Sequence, residues 1–189
     1  DCVIPSKYLA NAVNEKLNTN SNIYISKFED FLSKKKYDLI LFSESFQYVN
    51  IDKSLKLVKK ILSDKGHLLI CDFFKQNISE KSLMGGGHRW VEFQQSINNF
   101  NLNNLIDLNI TNETAPTIDF LNNFCQEVLK PMANMTGQYL YGNYPIITKI
   151  FMWKYQKKLK KIKNRYLSGS VNGISFKKFK TYRLLLYTK

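Results

Sequence analysis

Polar and aromatic side chains gather at three points in this sequence, each beside a short apolar run. Ser43-Glu44-Ser45-Phe46-Gln47-Tyr48 follows the run from Tyr37 to Phe42, and Asp72-Phe73-Phe74 follows His67 to Cys71. Lys27-Phe28-Glu29-Asp30 follows Ile23 to Ile25. A ring beside a carboxylate, as in Phe28-Glu29, can sandwich a purine and accept its amino hydrogens. Glu29 and Asp30 can equally start a helix, where carboxylates meet the positive end of the dipole. Further along, His88 and Trp90 follow the cluster Gly85-Gly86-Gly87. Histidine exchanges a proton near neutral pH, so His88 is a candidate general base toward a substrate hydroxyl or amine. Tyr48 and Trp90 are the candidate substrate contacts, Trp90 as a pocket wall. A structural histidine in a capping loop is the alternative. The glycine cluster is not followed by Lys-Ser/Thr and is not a phosphate loop; it reads as a lid hinge or a linker.

These residues need a scaffold that brings strand ends to one edge. Pro5 and Ser6 can open a helix carrying Leu9, Ala12, Val13 and Leu17 on one side. The run from Tyr37 to Phe42, apolar apart from Asp38, predicts a strand buried on both faces. Leu55, Val58 and Ile61 have helical spacing, Asp64-Lys65-Gly66 signals a turn, and His67 to Cys71 predicts a second buried strand. Strand, helix and strand so closely spaced form a βαβ unit with parallel strands. A helix is expected from Trp90 to Phe100, a strand from Leu105 to Ile110, and a last strand from Tyr182 to Tyr187. Between them, residues 117–166 read as mainly helical, with Pro116, Pro131 and Pro145 marking helix starts or boundaries. In open parallel sheets, ligands bind beyond the carboxyl ends of the strands, where the three polar clusters fall.

With 189 residues and 44% hydrophobic content, the chain can bury one good core. It has no apolar run of membrane-spanning length and no signal-peptide pattern at Asp1. Cys2, Cys71 and Cys125 are far apart, form no CxxC, and have only two histidines to join them. That argues against a disulfide framework and a structural zinc site, and for a reducing, cytoplasmic setting with no metal. The net charge of +13 is unevenly spread, because residues 151–189 hold twelve Lys and Arg and no acidic residue. Residues 1–150 are nearly neutral, with 16 basic against 15 acidic residues.

The run Y-D-L-I-L-F-S-E-S-F-Q-Y-V, followed by L-x-x-V-K-K-I-L-S-D-K-G-H-L-L-I-C-D, resembles the class I S-adenosylmethionine-dependent methyltransferases. The second glycine of that family's strand-entry pattern is replaced here by His67. The resemblance implies a Rossmann-like, mostly parallel α/β sheet with its first strand or strands missing, and a helical insertion before the last strand. It also implies S-adenosylmethionine as cofactor. Asp1, with Ser6, Tyr8, Leu9 and Ala10 or Ala12 after it, resembles the acidic end of the second strand and the next helix. On that match Asp1 binds the ribose hydroxyls. Phe28 falls where the family places an adenine contact; the usual preceding Asp is Lys27, with Glu29 or Asp30 as substitutes. Ser43 and Glu44 match loop positions near the methionine part and the transferable methyl. Asp107 to Thr114, with Pro116-Thr117, is similar to a "D-I-T" stretch in methyltransferases with a helical cap. The family's glycine-rich loop would fall before Asp1.

The implied organisation is a methyltransferase-like core at 1–116 that is incomplete at its N-terminus. A helical cap or insertion at 117–166 and a final strand within 167–189 complete it. The implied function is methyl transfer to a small-molecule acceptor, which needs little more than an aligned nucleophile. Two alternatives stand beside it: a non-catalytic methyltransferase-like protein or partner subunit, and an RNA-modifying enzyme. The basic residues from Lys154 to Arg165 interleave with Phe151, Trp153, Tyr155, Leu159 and Ile162. Such a helix can pack its apolar side on the sheet, lie on an anionic membrane surface, or attract an acidic substrate or nucleic acid.

Overall fold

The apolar periodicity resolves into strands and helices in a computed structural model that describes residues 1–17, 20–80 and 82–189. The first elements are β1 (Cys2–Val3), α1 (Lys7–Asn14), β2 (Ile23–Tyr24), β3 (Tyr37–Ser43) and α2 (Ile51–Ile61). Next come β4 (Leu62–Lys75), α3 (Trp90–Asn99) and β5 (Asn103–Asn109). Four helices follow, α4 (Thr111–Phe124), α5 (Lys130–Asn143), α6 (Pro145–Tyr166) and α7 (Gly173–Phe179), before the last strand β6 (Lys180–Thr188). Single 3-10 turns cover Phe28–Asp30 and Phe46–Tyr48, and a π turn at Cys125–Leu129 joins α4 to α5.

β1 and β2 form a parallel pair, and the other strands form a sheet in the order β3-β4-β6-β5. β3 and β4 are parallel, with Leu39 opposite His67 and Ser43 opposite Cys71, so β3, α2 and β4 make the expected βαβ unit. β6 runs against both neighbours. Gln76 N–H donates to the Phe179 carbonyl at 3.0 Å at one end of β4, and the Thr188 hydroxyl donates to the Gly66 carbonyl at the other. On its other side, Ile110 N–H donates to the Tyr182 carbonyl just past the end of β5. The result is the mixed α/β, mostly parallel architecture that the sequence implies.

The chain divides into two compact units, residues 1–74, 87–108 and 183–189, and residues 75–86 and 109–182. In the first, Leu55, Val58 and Ile61 of α2 and Phe93 and Ile97 of α3 bury against Ile40, Phe42, Leu68 and Ile70. Asn50 caps α2 by accepting from Lys53 N–H. Strand side chains alternate between faces, and only one face of β3 is covered in this way. Leu39 and Leu41 point to the other and are 54% and 56% exposed, so the expected two-sided burial of this strand is not met. Gly66 stands where the register of β3 and β4 shifts; a Cβ there would lie 2.8 Å from the Tyr37 carbonyl.

In the second unit the helices begin earlier than expected, at Thr111, and Pro116 lies inside α4 rather than at its start. The Asn109 carboxamide accepts from Thr111 N–H and from the Thr111 hydroxyl, which holds the first turn. Pro116 then costs α4 the bond its N–H would have made to the carbonyl four residues back. Pro131 and Pro145 do sit at helix starts. Asn172 and Ser175 form a capping box on α7, and Asp119 accepts from Gly173 N–H at 2.7 Å. Lys180 is 2% exposed and donates to the Gly85 and Gly86 carbonyls at 3.1 and 2.6 Å, tying the glycine cluster to β6.

Two outcomes follow from this packing. Gly66→Ala forces backbone to move and is expected to lower stability by about 1–3 kcal/mol in denaturant unfolding. Burial, with the charges of Lys75 and Arg165, lowers the Lys180 ammonium from 10.5 to about 8. The unfolded chain holds that proton to higher pH, so this group adds stability as pH rises from about 8 toward 10.5. Lys180→Met is expected to lose that rise when the two proteins are unfolded side by side across the window.

Candidate functional site

The carboxyl end of β3 is the best-built rim of the first unit. After Ser43 the ladder continues one step, with Glu44 N–H donating to the Cys71 carbonyl at 2.9 Å. Glu44 then turns the chain with a φ of 51°, a left-handed conformation uncommon outside glycine. The turn that follows is held by the buried ring of Phe46, which meets Phe42, Phe93 and Phe74 at centroid distances of 5.3, 5.5 and 6.4 Å. Edge-to-face and tilted contacts of this kind add to the burial itself.

Asp72 anchors the same turn from β4. Its carboxylate accepts from Gln47 N–H at 3.0 Å, from the Gln47 carboxamide at 3.4 Å and from Phe73 N–H at 2.8 Å. Burial pushes the Asp72 carboxyl above the usual carboxylate range; the Gln47 and Phe73 amides oppose this, and nearby Glu44 adds to it. Asp72-Phe73-Phe74 lies within β4, which runs on to Lys75, rather than after its end as the sequence suggested. Asp72 and Phe74 therefore point into the core and serve the rim from beneath.

His88 Nε2 donates to the Phe46 carbonyl at 3.0 Å, and its ring meets the Phe46 ring edge-on. The carbonyl can only accept, so in the neutral ring Nε2 carries the hydrogen and Nδ1 the lone pair. Gly87, at φ 76°, brings this segment close to β4; a Cβ there would lie 2.9 Å from the Phe73 carbonyl. His88 and Tyr48 share a cleft of about 620 Å³ with Asp52, Glu92, Ser96 and Asn99. Tyr48 is 79% exposed at its mouth. The last three residues form a polar stripe of α3 beside the buried Phe93 and Ile97, and the sequence reading passed over them. Their spacing was the available signal.

The other candidates are placed differently. Phe28 meets Phe42 edge-on at 4.7 Å, and Glu29 accepts from Asn50 N–H at 3.4 Å, so both stand beside the β3 rim. Trp90 packs on Phe74 and Phe93 at 5.1 and 5.6 Å, with the Arg183 guanidinium 4.5 Å from its ring centre. It is half-buried at the edge of the core. Asp1 is not brought together with the rest. It precedes β1 and accepts from the Tyr37 hydroxyl at 2.6 Å, from Asn22 at 2.7 Å and from Lys35 at 3.4 Å. Tyr37 opens β3 and Ser43 closes it, about 20 Å away along the strand. At the carboxyl end of β1 stands Ile4. Among the described residues, no group of three His, Cys, Asp or Glu is placed to hold a metal ion.

This arrangement of strands has known counterparts, although no protein-family pattern and no curated sequence matches the chain. A structure from Galdieria sulphuraria, assigned as a sarcosine dimethylglycine methyltransferase, superposes with a TM-score of 0.65 at 14% identity. The alignment covers 100% of this chain and 69% of that one. The O-methyltransferase of a trans-AT PKS multienzyme of Brevibacillus brevis, in complex with S-adenosyl-L-homocysteine, gives 0.58 at 13% identity, with 99% and 57% covered. Geranyl diphosphate C-methyltransferase from Streptomyces coelicolor, with Mg2+, geranyl diphosphate and S-adenosyl-L-homocysteine, gives 0.57 at 13% identity, with 98% and 63% covered. The chain thus has the fold of the class I S-adenosylmethionine-dependent methyltransferases. It spans 57 to 69% of the length of these proteins.

The Asp72 contacts give a pH-dependent test. Asp72→Asn replaces one acceptor oxygen by a donor and is expected to cost about 1–3 kcal/mol. With its folded-state pKa raised above 3.8, the wild-type carboxyl contributes most below that value and loses its contribution as pH rises. The deficit of the variant in urea unfolding is therefore expected to be largest near pH 4 and to shrink toward pH 7.

Proposed function

We propose that this chain is the larger part of an S-adenosylmethionine-dependent methyltransferase acting on a small-molecule acceptor. The observation that carries the reading is the class I methyltransferase fold with a shaped polar rim at the carboxyl end of β3. The rim suits the cofactor at two of its parts. Phe28 offers a ring face and Glu29 a carboxylate for the adenine, while Ser43 and Glu44 offer a hydroxyl and a carboxylate for the methionine amino group. Asp1 is set aside as the ribose contact, because its carboxylate is engaged at the opposite end of the strands. When bound, the cofactor supplies a methyl group on a positively charged sulfur.

The acceptor is assigned to the cleft beside His88. Tyr48, Glu92 and Asn99 orient it there, and His88 takes its proton at Nδ1, since Nε2 is held by the Phe46 carbonyl. Trp90 shapes the floor of this region by packing rather than by direct contact. A non-catalytic, methyltransferase-like partner subunit is the second reading, favoured by the absence of Asp1 from the rim. A cytoplasmic setting is retained from the cysteine pattern; no described helix is long and apolar enough to cross a membrane.

Titration calorimetry with S-adenosylhomocysteine tests the cofactor assignment. Saturable binding is expected, with Phe28→Ala and Glu44→Gln each weakening it about tenfold, or 1.4 kcal/mol. His88→Gln is expected to leave this affinity unchanged and, once an acceptor is found, to lower kcat by about 10²–10⁴. Absence of binding by the wild-type chain would falsify the cofactor reading and favour the non-catalytic one.

A further inference from the structure

The α5–α6 segment of the second unit is a helical hairpin that buries almost nothing. Tyr144 alone separates the two helices, and the Thr148 hydroxyl donates to the Tyr144 carbonyl at 2.7 Å and reaches that of Leu140 at 2.9 Å. At the far end the Gln126 carboxamide donates to the Tyr166 carbonyl at 3.4 Å, so α6 returns to where the outgoing helix began. Of residues 130–166, all of them described, only Thr148 is buried. Trp153, Ile146 and Met135 are 79%, 73% and 69% exposed, and Tyr139, Tyr144, Ile147 and Ile150 are exposed beside them. An exposed apolar surface this extensive is of the kind that marks a contact site.

Charge is sorted along the hairpin rather than around it. No residue from Pro131 to Thr148 carries a side-chain charge, so the tip is uncharged on both arms. From Lys149 to Arg165 there are eight Lys and Arg, and no Asp or Glu occurs anywhere from Val128 to Lys189. The first turns of α6 carry Ile146, Ile147, Ile150, Phe151 and Trp153 on all sides, a pattern proper to an immersed helix end. Later turns carry Lys on all sides, so α6 has no single apolar face on which to lie flat.

We propose that the α5–α6 hairpin docks tip-first on an anionic lipid surface. Its aromatic and aliphatic end enters the boundary between headgroups and acyl chains, and the basic shaft pairs with the headgroups. The uncharged start of α6, Pro145 to Thr148, spans about 6 Å before Lys149. That matches an immersion of about 5–10 Å. Nucleic acid would use the shaft but leave the tip in water. A second copy would bring two basic shafts together with no acidic residue on either to relieve them. The inference is independent of methyl transfer, because docking needs no cofactor.

Cosedimentation of the full chain with vesicles tests it, using phosphatidylcholine alone and phosphatidylcholine with phosphatidylserine. Partitioning onto the anionic vesicles is expected, at least about tenfold weaker on neutral ones and reduced by high salt. The pair Ile146→Asp and Ile147→Asp, both exposed, is expected to lower it by about tenfold or more at an unchanged melting temperature. Lys157→Glu with Lys161→Glu is expected to lower the anionic preference. Trp153 emission is expected to shift to the blue on binding and to be quenched by brominated lipid, in the wild type and in Trp90→Phe. Any of three results would overturn the proposal: no vesicle binding, equal binding to both compositions, or a dimer that the isoleucine variants abolish. RNA binding unaffected by the isoleucine variants, without vesicle binding, would assign the basic shaft to nucleic acid instead.

Discussion

The ring of Phe46 has no exposed surface and touches the sheet through Phe42 and Phe74 and the helix layer through Phe93. Each end of the turn it anchors is then claimed by a polar group. Its own carbonyl accepts from His88, and the next amide donates to Asp72. Gln47, Tyr48 and His88 are placed around that one buried side chain, while Phe28 and Glu29 reach the rim through Phe42 and Asn50. Glu44 is held in a left-handed conformation because the chain must pass from the β3 ladder to the Phe46 pocket within two residues. A backbone strain of about 1–3 kcal/mol at such a position persists only where its surroundings over-determine it, as they do here.

The rest of the first unit supports this arrangement at a distance. Gly66 lets β4 run close beneath Tyr37, which sets the register that carries Cys71 opposite Ser43. Gly87 lets the segment bearing His88 approach Phe73. Both glycines are thus spacing elements. Asp1 does comparable work at the other edge, gathering Tyr37, Asn22 and Lys35 at the start of the strands.

Much of this was legible in the sequence where pattern and chemistry coincide. The apolar run before Ser43 and the helical spacing of Leu55, Val58 and Ile61 gave the βαβ unit, because each depends on local periodicity, whereas Asp64-Lys65-Gly66, read as a turn, lies inside β4. Asp1 was harder, since a carboxylate near a two-residue strand does not say which end of that strand it occupies. The exposure of Leu39 and Leu41 was not legible either: a continuous apolar run states what can be buried, not which faces find partners. Pro116 misled because its neighbours Thr111 and Asn109 start the helix without it. In α6 the basic character was plain from composition, but its separation from the apolar tip emerged only once Tyr144 was seen to reverse the chain.

β3 also decides what the rim can tolerate. Its hydrogen-bonded partner among the described residues is β4, and that ladder ends on the bond from Glu44 N–H to the Cys71 carbonyl. Ser43, Glu44 and the Phe46 turn are therefore carried by one strand pair, and fraying of that pair would displace all three together.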